Sequence, residues 1–172
     1  MWKKLKDKEN FIWAFLFSVL CCTVISLFFD YYYDINDDVL MKDIVAGVYS
    51  GTPSGYNVQM LYPLSFLLSL LYRITGAISW YGLFFQFCHF GSIYLITKRA
   101  LSFVSKRWQK AGLLLAESLG IAVLLLQELV FVQYTVTVSV LAAAAAFLFY
   151  TSETDGGVKE FIKTNQIGRA HV

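Results

Sequence analysis

Apolar residues in this chain come in long uninterrupted runs, not in the alternating pattern of strands or the narrow stripe of a surface helix. The first run, FIWAFLFSVLCCTVISLFF from Phe11 to Phe29, holds nineteen residues without a charge. At ~1.5 Å per residue a helix of that length covers roughly the 30 Å of bilayer hydrocarbon, so it predicts a first span. The start MWKKLKDKEN is basic like that of a signal peptide. The apolar run, however, outlasts a secretory h-region and ends in Phe28-Phe29-Asp30 instead of small residues, which makes it an uncleaved signal anchor. Further spans are predicted over about 80–97, 111–128 and 132–150. The fold class expected is an all-α integral membrane protein with four transmembrane helices.

The run LYPLSFLLSLLYRI, Leu61 to Ile74, is apolar but only about fourteen residues long, and it contains Pro63 and Arg73. Its length does not decide whether it crosses; charge does. With four spans elsewhere, Lys3, Lys4, Lys6, Lys8, Lys98, Arg99, Lys106, Arg107, Lys110, Lys159, Lys163 and Arg169 share one face, and Lys42 and Arg73 remain on the other. A crossing at 61–74 would carry the Lys98 to Lys110 loop to the outside, against the positive-inside tendency. The segment is therefore expected as an interfacial helix in an outer loop spanning 30–79, with both chain ends cytoplasmic.

That outer loop has local structure of its own. Asn36 is a suitable N-cap, Asp37 and Asp38 occupy the first turn, where the helix dipole favours negative charge, and Ile35 and Leu40 stand at staple positions. Leu40, Ile44 and Val48, joined by Val45, form an apolar stripe, and Gly47 is a natural terminator. A short helix over about 36–47, lying on the membrane, is the expectation. Ser50 to Asn57, SGTPSGYN, packs two glycines and a proline into eight residues and predicts a turn-rich loop that can bring backbone amides close to a ligand.

Composition then narrows the function classes. With 58% hydrophobic and 15% charged residues the main partner is the lipid bilayer, and a nucleic-acid partner is not expected. Cys21, Cys22 and Cys88 all fall in spans, which argues against a disulfide framework; with His89 they have a zinc-like inventory but not zinc-like spacing. Glu117, six residues into a span, is expected to pair with His89 or with a basic residue of the inner loop.

The acidic pair after the first span, the G-x-Y-x-G-x-P loop (Gly47 to Pro53), Tyr62-Pro63-Leu64 and Trp80-Tyr81-Gly82 together resemble the amino-terminal region of the C-type glycosyltransferases. Those are multi-span enzymes that use polyprenyl-phosphate sugars as donors. The resemblance implies that this is the front part of such an enzyme, moving a sugar to a cell-envelope acceptor, with Asp37 or Asp38 as general base. A carboxylate in hydrogen-bond reach of a sugar hydroxyl accepts its proton as the new bond forms. The lipid-phosphate leaving group needs a cation, for which Arg73 and Lys42 are candidates, with Tyr56, Glu128 and Gln133 completing the substrate site. A divalent cation held by Asp37 and Asp38 is the alternative; two adjacent helical residues point about 100° apart and make an incomplete site alone.

Each of these residues also has a plainer reading. The aspartates cap a surface helix, Arg73 snorkels toward headgroups, and Tyr31, Tyr32 and Tyr33 belong to an aromatic belt. The competing function is a non-enzymatic multi-span module, either a subunit of a lipid-linked glycan exporter or transporter, or a scaffold for other membrane helices. Residues 151–166 read as a cytoplasmic tail or loop. The last six, Ile167 to Val172, resemble a translated sequencing adapter, so the natural product is expected to continue further.

Overall fold

A computed structural model describes residues 2–152; the expected tail from residue 153 onward, including 167–172, lies outside the described residues. The described chain is mostly helical, and three helices are long and apolar enough to cross a membrane: Lys6–Phe28, Arg107–Val130 and Tyr134–Thr151. The elements run α1 (Trp2–Phe28), β1 (Tyr32–Tyr33), α2 (Asn36–Ala46), α3 (Tyr62–Ile74), α4 (Trp80–Ser102), α5 (Arg107–Gly120), a π-helical turn (Ile121–Leu125), α6 (Leu126–Val130), β2 (Phe131–Val132) and α7 (Tyr134–Thr151). α5, the π-turn and α6 form one nearly continuous rod.

The long helices alternate in direction. At one end β1 pairs in parallel with β2, Tyr32 opposite Phe131 and Tyr33 opposite Val132, and Tyr33 bonds Ser79 at the start of α4. At the other end the Lys6 ammonium reaches the Ser105 hydroxyl after α4, and Lys110 of α5 reaches Asn10 of α1. Neither strand was visible in the sequence, because two residues carry no alternation to read.

α4 lies at the centre, with α1 and α7 making the two most extensive helix contacts on it. Asn10, Ala14, Phe17, Ser18 and Ile25 line the buried face of α1, and the Ser18 hydroxyl donates to the Phe90 carbonyl at 2.7 Å. Lipid offers no hydrophobic drive for helices to associate, so small residues and interhelical hydrogen bonds of this kind hold the bundle. α4 itself is the more polar helix because it hides its polar groups against its neighbours: His89 and Thr97 are fully buried. The His89 Nε2 lies 2.9 Å from the Thr137 hydroxyl, which is also within 2.8 Å of the Gln133 carbonyl, and Nδ1 has no partner among the described residues. Glu117 accepts from Thr97 at 2.6 Å. The expected Glu117 to His89 pairing is therefore replaced by two separate pairs, one on Thr137 and one on Thr97.

The segment 30–79 folds as a cap over the ends of α4 and α7. α2 differs from expectation in two ways. Ile35, in extended conformation, is the N-cap, and its carbonyl receives the Asp38 and Val39 amides, so Asn36 begins the helix without capping it. The buried face of α2 is Asp38, Met41 and Val45, whereas Leu40 and Val48 are exposed. The helix thus presents a carboxylate to the protein beside Met41 and Val45, and of the expected stripe Leu40 and Val48 face outward. α2 stops at Gly47, whose φ of +81° is left-handed and whose absent side chain leaves room for the backbone of Thr52 and Pro53. Met41, Val45, Met60, Leu68, Tyr72, Tyr81, Phe85 and Val132 make the core of the cap, separate from the bundle core around Phe17, Phe90, Ile93 and Leu129. Burial of each large side chain there contributes roughly 1.5–3 kcal/mol.

Candidate functional site

Asp38 is completely buried where the cap meets the bundle. Its Oδ1 accepts the Tyr81 hydroxyl at 3.0 Å and the Tyr134 amide at 2.9 Å. Tyr81 lies in the first turn of α4, and Tyr134 is the first residue of α7, so one carboxylate stands over the starts of two helices. The Tyr134 amide is one of the donors that a helix cannot satisfy internally, and negative charge is favoured there by the helix dipole. Asp38 therefore caps α7 from a different element. Burial raises its carboxyl above the usual range; the Tyr134 amide and the Tyr81 hydroxyl pull it back down, and the charges of Asp37 and Asp34 push it further up. Its Oδ2 is buried without a partner.

Asp37 points the other way. It is exposed, and its Oδ2 accepts from the Gln59 side chain at 3.0 Å. The two adjacent acids thus have different environments: one locked inside the protein, the other presented to solvent beneath the loop. Among the described residues no group of three or more His, Cys, Asp or Glu side chains gathers to hold a metal. Asp37 and Asp38 alone supply too few donors pointing in one direction to complete a cation site.

The remaining expected site residues are dispersed. Lys42 is ion-paired with its neighbour Asp43, and Arg73 donates to the Pro53 carbonyl at 3.2 Å, holding the Gly47 to Pro53 loop against the end of α3. Neither cation pairs with Asp37 or Asp38. Tyr56 is 80% exposed and packs its ring on Tyr62 at 5.1 Å. Gln133 is the residue before Tyr134, which brings its backbone next to the Asp38 cap, whereas Glu128 sits half-buried in α6 without a hydrogen bond to any of the others.

Beside Asp38 the structure holds residues that the sequence did not mark for a site. The Tyr81 ring packs on Tyr33 at 5.7 Å, and the Tyr33 hydroxyl shares a 2.8 Å hydrogen bond with Ser79. Tyr33 and Ser79 edge a cleft of about 300 Å³ between α1 and α4, lined also by Cys22, Ser26, Tyr31 and Gln86. The lining is mainly apolar, with hydroxyls at its rim. Gln86 donates to the Leu129 carbonyl at 3.1 Å, while its own amide oxygen is buried without a donor. The only signal for Gln86 in the sequence was a polar residue interrupting Leu83 to Phe87. Comparison with family models, with curated proteins and with solved structures gives no match.

Proposed function

We propose that this chain is part of a bacterial cell-membrane glycosyltransferase that moves a sugar from a polyprenyl-phosphate donor to a cell-envelope acceptor. In this reading α4 is a fourth span, both ends are cytoplasmic, and the cap over 30–79 faces outward. The segregation of Lys6, Lys8, Lys98, Arg99, Lys106, Arg107 and Lys110 at the end of the bundle away from the cap supports that orientation.

The observation that carries the proposal is the apolar, hydroxyl-rimmed cleft beside the Asp38 clasp. Such a cleft suits a lipid-carried substrate, whose isoprenoid chain stays in the bilayer while its polar end rises to the cap. Asp37, the solvent-facing acid, is then the base that takes the acceptor's proton. Asp38 is a positioning residue: by fixing α2 over the starts of α4 and α7 it holds Asp37 in place. Arg73 and Lys42 are available at the outer face to meet the phosphate after exchanging their present partners, and Tyr56 offers an exposed ring for a sugar face.

Asp37→Asn in cells expressing the full-length protein should lower envelope glycosylation at least about 100-fold, the lower range for loss of a general base, with insertion and expression unchanged. Unaltered glycan in that variant would sink the assignment. A carrier for lipid-linked glycans is the second reading, favoured by the unpartnered His89 Nδ1 and Glu117 Oε2 inside the bundle. Translocation of donor lipid without sugar transfer would select it.

A further inference from the structure

The end of the bundle opposite the cap is rich in cations, and two of them, Lys6 and Lys110, are tied to neighbouring elements. Lys6 reaches the Ser105 hydroxyl at 3.2 Å, and Lys110 is buried between Asn10 at 2.9 Å and Glu9 at 3.0 Å. Arg99 is different. Its Nε donates to the Thr151 hydroxyl at 3.1 Å and its guanidinium lies over the Phe103 ring at 5.0 Å, yet Nη2 is buried with no acceptor among the described residues. A buried charged donor left empty is rare in a finished structure, and a guanidinium edge fits two oxygens of a phosphate at once.

Arg99 lines a cavity of about 530 Å³ between α1, α4 and α7. Lys8, Lys98 and Ser102 share it, and Phe11, Leu95 and Leu148 supply an apolar side. Lys98 lies 5.7 Å from the Phe11 ring centre and 5.9 Å from that of Tyr94, without a carboxylate partner among the described residues. Among the described residues Asp7 is the one acid in the lining, against the three cations Lys8, Lys98 and Arg99. The cavity opens where the apolar run of α1 begins, at the depth of lipid headgroups if α1 crosses the membrane.

We infer that this cavity is a binding site for the phosphate headgroup of an anionic phospholipid. Arg99 and Lys98 hold the phosphate, and the acyl chains run down the Phe11, Leu95 and Leu148 side. The apolar wall separates this ligand from free phosphate, which has nothing to place there. A zwitterionic headgroup is disfavoured because its own ammonium would face Lys8 and Lys98. Basic pockets between membrane helices have this preference generally, and the inference does not depend on the glycosyltransferase reading.

The test uses the full chain in nanodiscs of phosphatidylcholine doped with spin-labelled phosphatidylglycerol or spin-labelled phosphatidylcholine, with the motionally restricted fraction as readout. Phosphatidylglycerol should be retained preferentially, and Arg99→Gln and Lys98→Gln should each lower that preference about fivefold, the worth of one basic residue near an anionic surface. Arg107→Gln, at the same end but outside the cavity, should change it less than about twofold, as expected of a screened surface charge. Soluble glycerol 3-phosphate should not displace the lipid. Equal retention of the two lipids, no effect of either cavity variant, or displacement by glycerol 3-phosphate would overturn the site. If Arg99→Gln fails to insert, Lys98→Gln decides alone, since Lys98 is exposed and holds no hydrogen bond among the described residues.

Discussion

Where α4 and α7 begin, a carboxylate is closed over by its own chain; where they end, a guanidinium keeps a buried donor unfilled. Asp38 has the Tyr81 hydroxyl and the Tyr134 amide, and it knits the cap to the bundle. Arg99 has Thr151 and Phe103, and one edge remains empty. The contrast shows how one bundle can use a buried charge in two ways. Each group keeps one buried atom without a partner among the described residues, but Asp38 joins two other elements and fixes geometry, whereas Arg99 lines a cavity whose other charges are mostly of its own sign, where a ligand of opposite sign is favoured.

The sharpest way to break the contrast is Asp38→Leu, which leaves the Tyr81 hydroxyl and the Tyr134 amide buried without an acceptor. It should destabilise the cap by about 2–5 kcal/mol, read as faster proteolysis within residues 47–61 while the bundle helices stay protected. Cleavage at the wild-type rate would show that Asp38 is not the clasp. Gly47→Val should cost less, on the order of 1–2 kcal/mol for the left-handed backbone, plus displacement of the Thr52 to Pro53 segment that its side chain would strike. The same proteolysis assay checks it.

The acid end should also respond to pH. Because burial raises the native carboxyl of Asp38 above its unfolded value, its contribution to stability is fully present below about pH 3.9 and is lost as pH rises through the elevated native value. The cap should therefore open more readily at neutral than at mildly acidic pH, and Asp38→Asn should remove that slope; an unchanged slope in Asp38→Asn would assign it to another group. Smallest of all, Arg73→Ala should alter cap stability by no more than about 0.5 kcal/mol, because its hydrogen bond to Pro53 is exposed. A larger loss would make Arg73 a structural pin and weaken its candidacy for phosphate.

Apolar run length made the helical class readable, since nineteen uncharged residues have few other uses. The same reading made 80–97 a span, whereas α4 is not among the three helices long and apolar enough to cross, being diluted by Gln86, His89, Ser92 and Thr97. Gly47 was legible as a terminator because only glycine takes that backbone conformation cheaply. The orientation of α2 was not legible. Hydrophobic periodicity favours the face of Leu40 and Val48, but Met41 and Val45 flank Asp38 on a neighbouring face, and two donors at the starts of distant helices make that face the better one to bury. Tyr81 and Tyr134 are 43 and 96 residues from Asp38 in sequence, so no local pattern could join them to it. Asp37 and Asp38 looked equivalent in the sequence for the same reason: only tertiary contacts distinguish the exposed acid from the buried one.

The central proposal is that the acidic cap and the basic end lie on opposite sides of a membrane, the cap outside. It is tested most directly by replacing Cys21, Cys22 and Cys88, then introducing Tyr56→Cys in the exposed cap loop or Ser105→Cys in the exposed turn after α4. In intact cells a membrane-impermeant maleimide should label position 56 at once and position 105 only after permeabilisation. Labelling of position 105 from outside, or of both positions from one side, would contradict the account.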